Sequence, residues 1–306
     1  MDALVVFTQM MILMVMIGTG FFAYKAGYLH EDGQHQISTL IVKICNPILM
    51  FSAVAVETNE KIYHLIGENI ICVVIYYVFV ILMGALYFRI RRGDEVMRRT
   101  HQLMISFSNV GFFGIPLVKG LFGDEYVVLL IFYMVGFNII AYSYGIFLAG
   151  KLNSEKVAFD WKKMINSGTV SGILAIMIFV FHWTMPAPLV TICSYLGNAS
   201  IPLSMMVIGA TLAQTDLKKM FGTAENYLFT FVKMLLIPAI GLIAFRFLPF
   251  ANETLSVMKL VVCMPVASMA GMFCEEYGGS GADANRSTAM TTFSCCITLP
   301  LLAFLM

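Results

Sequence analysis

The chain has 306 residues, of which 59% are hydrophobic and only 12% are charged. Soluble domains carry about 25% charged residues, so this composition excludes an ordinary water-soluble fold and indicates an integral membrane protein. The formal net charge is +1, and no basic domain is present, which argues against a nucleic-acid partner.

Apolar runs of membrane-spanning length follow one another along the chain. A bilayer core of about 30 Å needs about 20 helical residues, and a span must be helical here because nothing alternates like a barrel strand. The sequence therefore predicts ten transmembrane helices within a single membrane domain. They cover residues 5–24, 37–56, 65–88, 101–119, 126–149, 164–183, 189–213, 225–248, 256–274 and 287–306.

The positive charges between these spans indicate an orientation. The connections after spans 1, 3, 5, 7 and 9 contain 13 Lys and Arg residues, whereas the alternate connections contain 3. Because cytoplasmic loops carry the excess of positive charge, both termini are expected outside the cytoplasm. We expect a multi-pass protein of the cell (plasma) membrane.

The two halves of the chain have a similar layout. Residues 1–150 and 151–306 each contain five spans, and Pro47 in span 2 precedes Pro202 in span 7 by 155 residues. Five spans per half is an odd number, so two such repeats must be inverted relative to each other in the membrane. The predicted fold is all-α, with ten transmembrane helices as two inverted five-helix repeats.

Spans 4 and 9 both contain helix-breaking residues. Span 4 reads Ser-Asn-Val-Gly-Phe-Phe-Gly-Ile-Pro over residues 108–116, and a break is expected between Gly111 and Pro116. Span 9 reads Cys-Met-Pro-Val-Ala-Ser over residues 263–268, which predicts a second break. Irregular backbone at this depth is tolerated only where protein or a cavity satisfies it, so a pair of matching breaks indicates a transporter binding site. Each proline taken alone is equally compatible with a simple kink.

These features resemble the auxin efflux carrier family, whose bacterial members are related to plant PIN proteins and malonate permeases. The resemblance rests on the segment 108–116, the Met264-Pro265 helix and the closing segment Ser-Thr-Ala-Met-Thr-Thr-Phe-Ser over residues 287–294, and it covers essentially the whole chain. It implies a scaffold and a mobile transport domain, with helices 4 and 9 crossing at their breaks. It also implies a small organic acid as the substrate.

Crossing broken helices would place helix N-termini near the membrane midplane, where they stabilise a carboxylate. The predicted substrate-binding residues fall in spans 2, 4, 5, 7 and 9; they are Asn46, Asn109, Gly111, Gly114, Pro116, Asn138, Asn198, Pro265 and Ser268. Structural alternatives stay open for several of them. Asn109 would also suit a helix-to-helix hydrogen bond, and Asn46 and Asn198 would also suit bonding to carbonyls freed by the nearby prolines.

Other chemistry-bearing residues have simpler interpretations. Lys43 and Lys233 lie inside spans 2 and 8, where we expect them to snorkel to the interface, although either would also supply a positive charge for an anion. The seven cysteines and five histidines show no metal-ligand spacing, and we expect no metal and no cofactor. The Gly168-x-x-x-Gly172 motif allows close helix packing, within the fold or between the protomers of a homodimer.

The sequence therefore predicts a secondary transporter of small organic anions, auxin-like or malonate-like, that works by elevator-type alternating access within the lipid bilayer. A channel or a ligand sensor on the same scaffold is the main alternative. An intramembrane enzyme is disfavoured because Ser108 and Ser268 have no His or Asp partner in the spans. We expect no enzymatic activity.

Overall fold

The computed structural model describes residues 3–55, 60–152, 161–183, 185–277, 279 and 281–306. In this part of the chain the regular secondary structure is helical, apart from one isolated β-bridge. The helices of the first half are α1 (Ala3–Lys25), α2 (Glu31–Leu40), α3 (Asn46–Ala55), α4 (Glu60–His64), α5 (Ile66–Ile90), α6 (Glu95–Ser106), α7 (Gly114–Phe122), α8 (Asp124–Ile140) and α9 (Ile146–Gly150).

The described part of the second half is also helical. Its helices are α10 (Ser167–Val180), α11 (Ala187–Asn198), α12 (Ser200–Gln214), α13 (Leu217–Gly222), α14 (Ala224–Phe231), α15 (Ile237–Phe245), α16 (Asn252–Val262), α17 (Met269–Glu276) and α18 (Gly281–Ala303). Helices thus lie over each of the ten predicted spans.

Among the described residues, six helical segments are long and apolar enough to cross a membrane. They are Leu4–Lys25, Glu31–Val54, Ile66–Ile90, Asp124–Gly150, Ala187–Gln214 and Ala224–Phe245. The other four predicted spans differ for identifiable reasons. α10 has only 14 residues, spans 4 and 9 are each divided in two, and α18 is rich in Ser and Thr. That these four also cross the bilayer stays a prediction.

Prolines explain three irregular turns inside these helices. Proline has no N–H to donate to the carbonyl four residues earlier, and a π-helical turn, Ile41–Cys45, lies directly before Asn46-Pro47. A second, Val232–Leu236, precedes Pro238. In span 7 the helix is interrupted between α11 and α12, where Pro202 cannot bond to the carbonyl of Asn198. A further π-helical turn, Ala141–Gly145, lies between α8 and α9 and has no proline directly after it.

Helix α1 packs closely against α12 through two glycines. A Cβ atom on Gly20 would lie 2.1 Å from the carbonyl oxygen of Met206, and one on Gly209 would lie 1.9 Å from that of Ile17. Such distances are below any normal contact, so only glycine allows the two backbones to approach this far.

The Gly168-x-x-x-Gly172 motif packs inside the fold. A Cβ on Gly172 would lie 2.5 Å from Val135 Cγ2 in α8, and one on Gly168 would lie 3.0 Å from the side-chain nitrogen of Asn138. The motif therefore brings α10 against α8 within the fold.

Candidate functional site

Span 4 is broken between α6 and α7. Regular helix stops at Ser106 and resumes at Gly114, so the break covers residues 107–113. It begins four residues earlier than the expected interval from Gly111 to Pro116. Pro116 lies in the first turn of α7, where its missing N–H has no intrahelical acceptor to lose. The proline therefore helps to start the second half-helix and does not itself mark the break.

Span 9 is broken between α16 and α17, and its break lies against that of span 4. The interval covers residues 263–268. The backbone N–H of Asn109 donates to the carbonyl of Pro265 (2.8 Å), and the N–H of Ala267 donates to the carbonyl of Phe107 (3.0 Å). Together they form an antiparallel bridge between Ser108 and Val266. The two helices thus meet at their breaks, as the family resemblance implied.

We call the residues 107–113 and 263–268 the crossing. Two half-helices, α6 and α16, end there with their C-termini, and two others, α7 and α17, begin there with their N-termini. Helix N-termini carry a partial positive charge and C-termini a partial negative charge. The crossing therefore combines two weakly positive and two weakly negative groups inside the protein.

Asn109 organises the first break. Its side-chain oxygen accepts a hydrogen bond from the N–H of Phe112 (3.2 Å), and its main-chain oxygen accepts one from the N–H of Gly114 (3.0 Å). The side chain is 5% exposed. Both bonds lie within residues 107–114. The Asn109 side-chain oxygen therefore does not make the helix-to-helix hydrogen bond that was the alternative. In the described part of the chain, its amide nitrogen has no hydrogen-bond acceptor.

The two glycines of the break have different surroundings. A Cβ on Gly111 would have its nearest neighbour, Met134 Cε, at 3.9 Å, whereas one on Gly114 would lie 3.1 Å from both Cε and Sδ of Met264. Gly111 is partly accessible, and Gly114 is buried against the second break. The absence of a side chain at Gly114 thus allows the two breaks to pack together. At Gly111 it leaves open space next to the first break.

In the second break, Pro265 and Ser268 have distinct positions. Pro265 is buried and uses its carbonyl to accept from Asn109, whereas Ser268 is partly accessible at the N-terminus of α17. The N–H groups of Gly111, Ser268 and Met269 have no hydrogen-bond acceptor among the residues that the structure describes. These donors are available to a ligand that reaches the crossing.

The three asparagines outside the crossing lie at different distances from it. Asn46 is buried, and its side-chain nitrogen is 4.0 Å from the position of a Cβ on Gly111, so it borders the first break. Asn198 accepts a hydrogen bond from Lys119 of α7 (2.8 Å) and donates one to Ser194 (3.1 Å). The side chain of Asn138 lies against Gly168 at the beginning of α10.

Lys233 is the main departure from the sequence interpretation. Its side chain is 1% exposed, so the expectation that it snorkels to the interface is wrong. The ammonium donates to Ser108 Oγ (3.0 Å) and to the carbonyl of Ile105 (3.3 Å). Tyr76 also donates to Ser108 (2.9 Å). Lys43, in contrast, is exposed, as expected for a snorkelling side chain.

Two further polar side chains at the crossing were missed in the sequence. Ser204 of α12 donates to the carbonyl of Phe112 (3.2 Å), and Thr291 of α18 accepts from the N–H of Val266 (3.3 Å). Both are buried and satisfy backbone groups that the broken helices leave unpaired. The only available signal was a small polar residue in an apolar span, which is too common to single them out.

Comparison with known proteins gives an independent view of the chain. A family model described as membrane transport protein matches residues 5–159 and 153–305. A protein of Methanothermobacter thermautotrophicus called an uncharacterized transporter is 25% identical over 293 residues, which is 94% of each chain. An uncharacterized transporter of Methanocaldococcus jannaschii is 22% identical over 85% of each chain, and uncharacterized transporter YfdV of Escherichia coli is 21% identical over 94% of each. The match confirms the family resemblance that the sequence carries.

Proposed function

The chain belongs to the membrane transport protein family, and from this premise we propose that it carries small organic anions across the membrane by alternating access. The proposal commits to carboxylates of the auxin or malonate class, held at the crossing of helices α6–α7 and α16–α17. The single observation that carries it is the hydrogen-bonded meeting of the two helix breaks.

A carboxylate fits the N-terminal side of this crossing. The first N–H groups of a helix lack intrahelical acceptors and carry a partial positive charge, so they bind anions without a fixed full charge. Near the beginnings of α7 and α17, the N–H groups of Gly111, Ser268 and Met269 are such donors, and the Asn109 amide nitrogen adds one from a side chain.

The packing of the helices supports division into a scaffold and a mobile unit. We define the scaffold group as α1, α2, α3, α10, α11 and α12, and the crossing group as α5 to α9 and α14 to α18. Within the crossing group, Asn69 and Tyr77 of α5 donate to carbonyls of α8, and Glu68 accepts from the N–H of Ala251 before α16. In this arrangement the crossing group moves against the scaffold group and exposes the substrate to each side in turn.

The alternative of an enzyme with Ser108 as nucleophile has to be considered again, because the structure places a lysine next to this serine. Serine with lysine is a known nucleophile and base pair, and Lys233 contacts Ser108. However, the charged amine of Lys233 donates to both Ser108 and the carbonyl of Ile105, and in this state it has no lone pair with which to act as a base. Ser108 is 1% exposed and also accepts from Tyr76. The arrangement favours a structural cluster over a nucleophile.

The proposal is tested by substrate binding and transport of an Asn109→Ala variant. Purified wild-type protein, screened by thermal shift against indole acids and short mono- and dicarboxylates, is expected to be stabilised by one class, and saturable uptake of that acid is expected in proteoliposomes. Asn109→Ala removes a donor to the anion, so binding should weaken about tenfold or more. Its melting temperature should fall only slightly, by the loss of one cap worth about 1 kcal/mol.

Asn252→Ala is the matched control, because Asn252 is exposed at the first residue of α16 and far along that helix from the crossing. It should bind and transport as the wild type does. Unchanged affinity in Asn109→Ala would remove Asn109 from the site. Linear, non-saturating flux in the wild type would favour a channel over a carrier.

A further inference from the structure

Lys233 is a buried cation without an acidic partner. Its side chain lies in the π-helical turn Val232–Leu236, is 1% exposed, and donates only to the oxygens of Ile105 and Ser108. No ion pair joins it to an acidic side chain in the described part of the chain. A buried charge is costly unless it is compensated, so its compensation must come from the backbone around it.

That compensation is available because of where the ammonium lies. Ile105 is the penultimate residue of α6, and its carbonyl belongs to the C-terminal end of that half-helix. Helix C-termini carry partial negative charge. Lys233 thus lies at the C-terminal end of α6, and its second partner, Ser108, directly precedes Asn109 in the crossing.

The same set of groups is one that binds alkali cations in other carriers. Unwound carbonyls and half-helix C-termini at the centre of a transporter are oxygen ligands that suit Na⁺. In this chain one such carbonyl and an adjacent hydroxyl are already occupied by the nitrogen of a side chain that cannot leave. The ammonium of Lys233, which is attached to the chain, thus occupies the place that a dissociable cation would take.

We propose that Lys233 is a tethered cation that fills a latent monovalent-cation site at the C-terminal end of α6, so that substrate binding by this protein requires neither Na⁺ nor K⁺. The transport part of this inference rests on the proposed function. The cation site itself does not, and its test uses no substrate.

The first experiment uses the unaltered protein. Its melting temperature, and the uptake of the acid identified above, are measured in the chloride salts of Na⁺, K⁺ and N-methyl-D-glucamine at equal ionic strength. Equal melting temperatures and equal uptake in all three salts are expected. A wild-type protein that needs Na⁺ or K⁺ for stability or uptake would overturn the inference.

The second experiment empties the site. Lys233→Ala removes the ammonium and leaves space beside Ile105 and Ser108, so Na⁺ or methylammonium should enter and raise the melting temperature saturably, by about 3 °C or more, relative to N-methyl-D-glucamine. Lys233→Met fills the space without charge and should show no such rise. Lys43→Ala, which removes an exposed lysine, is the control for loss of charge in general.

These outcomes separate the two proposals. If no organic acid is transported, the proposed function fails, yet the cation response of Lys233→Ala still decides the present inference. Equal melting temperatures of Lys233→Ala in all salts would overturn it, as would a Lys233→Met variant with wild-type stability. Should Lys233→Ala not fold, the stability of Lys233→Met and the salt series on the wild type decide the question.

Discussion

Gly111 shows how one residue can separate binding from stability. Its position lies at the crossing, is partly accessible, and has no neighbouring atom closer than 3.9 Å to the place of a Cβ. Its backbone does not adopt a positive φ, so an alanine is sterically compatible with the native conformation. The free space is therefore not needed for folding, and it lies where a ligand would approach the N–H donors.

We predict that Gly111→Ala weakens substrate binding and leaves stability unchanged. The added methyl group would stand between the incoming carboxylate and the backbone, so the affinity should fall about tenfold, whereas the melting temperature should stay within 1–2 °C. Thermal shift with and without substrate measures both quantities on one sample. A variant that binds normally would show that the ligand does not approach at Gly111.

At the same scale, the sequence could identify some site residues and not others. Asn109 and Pro265 stand in segments whose glycines and prolines predict irregular backbone, and the structure brings them into contact. Lys233 was misjudged because its depth along a span leaves snorkelling and burial equally open. Its burial depends on the packing of α18 against the π-helical turn and on the hydrogen bond to Ile105 of α6, which are tertiary contacts.

Glycines form the contact between helices α1 and α12, where there is no room for a side chain. The approach of α1 and α12 depends on Gly20 and Gly209, whose Cβ atoms would fall within about 2 Å of carbonyl oxygens on the facing helix. Backbone atoms cannot move aside as a flexible side chain can. This contact consequently fixes the distance between two helices of the scaffold group.

We predict that Gly209→Ala strongly destabilises the protein. Its Cβ would lie 1.9 Å from the carbonyl oxygen of Ile17, so α1 and α12 must separate, at a cost of about 1–3 kcal/mol or more. Gly18→Ala is the matched control, because Gly18 lies in α1 with no atom within 4 Å of its Cβ position. The melting temperatures in detergent are compared, and equal values for the two variants would contradict the close packing.

Element boundaries were harder to predict than the existence of elements. Apolar runs placed helices correctly over each predicted span, since burial in lipid imposes length and helicity. The start of the first break at residue 107 was missed because a proline signals where a helix can begin as well as where it must end. The π-helical turns were also missed, because one extra residue in a turn leaves the hydrophobic pattern almost unchanged.

At the scale of the molecule, hydrogen bonds join the scaffold group to α7 of the crossing group. Gln9 of α1 donates to the carbonyl of Pro116 (3.5 Å), Ser204 of α12 donates to that of Phe112 (3.2 Å), and Asn198 accepts from Lys119 (2.8 Å). These are single hydrogen bonds, each worth about 1 kcal/mol. The two groups also meet by packing of α10 and α3 against α8 and of α1 against α18, so a relative movement would have to slide these helices past one another.

We predict that a cross-link between the two groups stops transport and that one within the scaffold group does not. In a background without the seven native cysteines, Gly172→Cys with Val135→Cys joins α10 to α8, where a Cβ on Gly172 would lie 2.5 Å from Val135 Cγ2. Uptake should be lost on cross-linking with a short thiol reagent and restored by reduction, because the crossing group could no longer move.

The matched pair is Gln34→Cys with Thr211→Cys, which joins α2 to α12 inside the scaffold group, where the native side chains are hydrogen-bonded at 2.7 Å. Cross-linking this pair should leave uptake at the uncross-linked rate, since both residues stay fixed relative to each other in every state. Normal uptake by the cross-linked α10–α8 pair would rule out movement at this boundary, and the alternating access of the crossing would then need a local rearrangement of α7 and α17 alone.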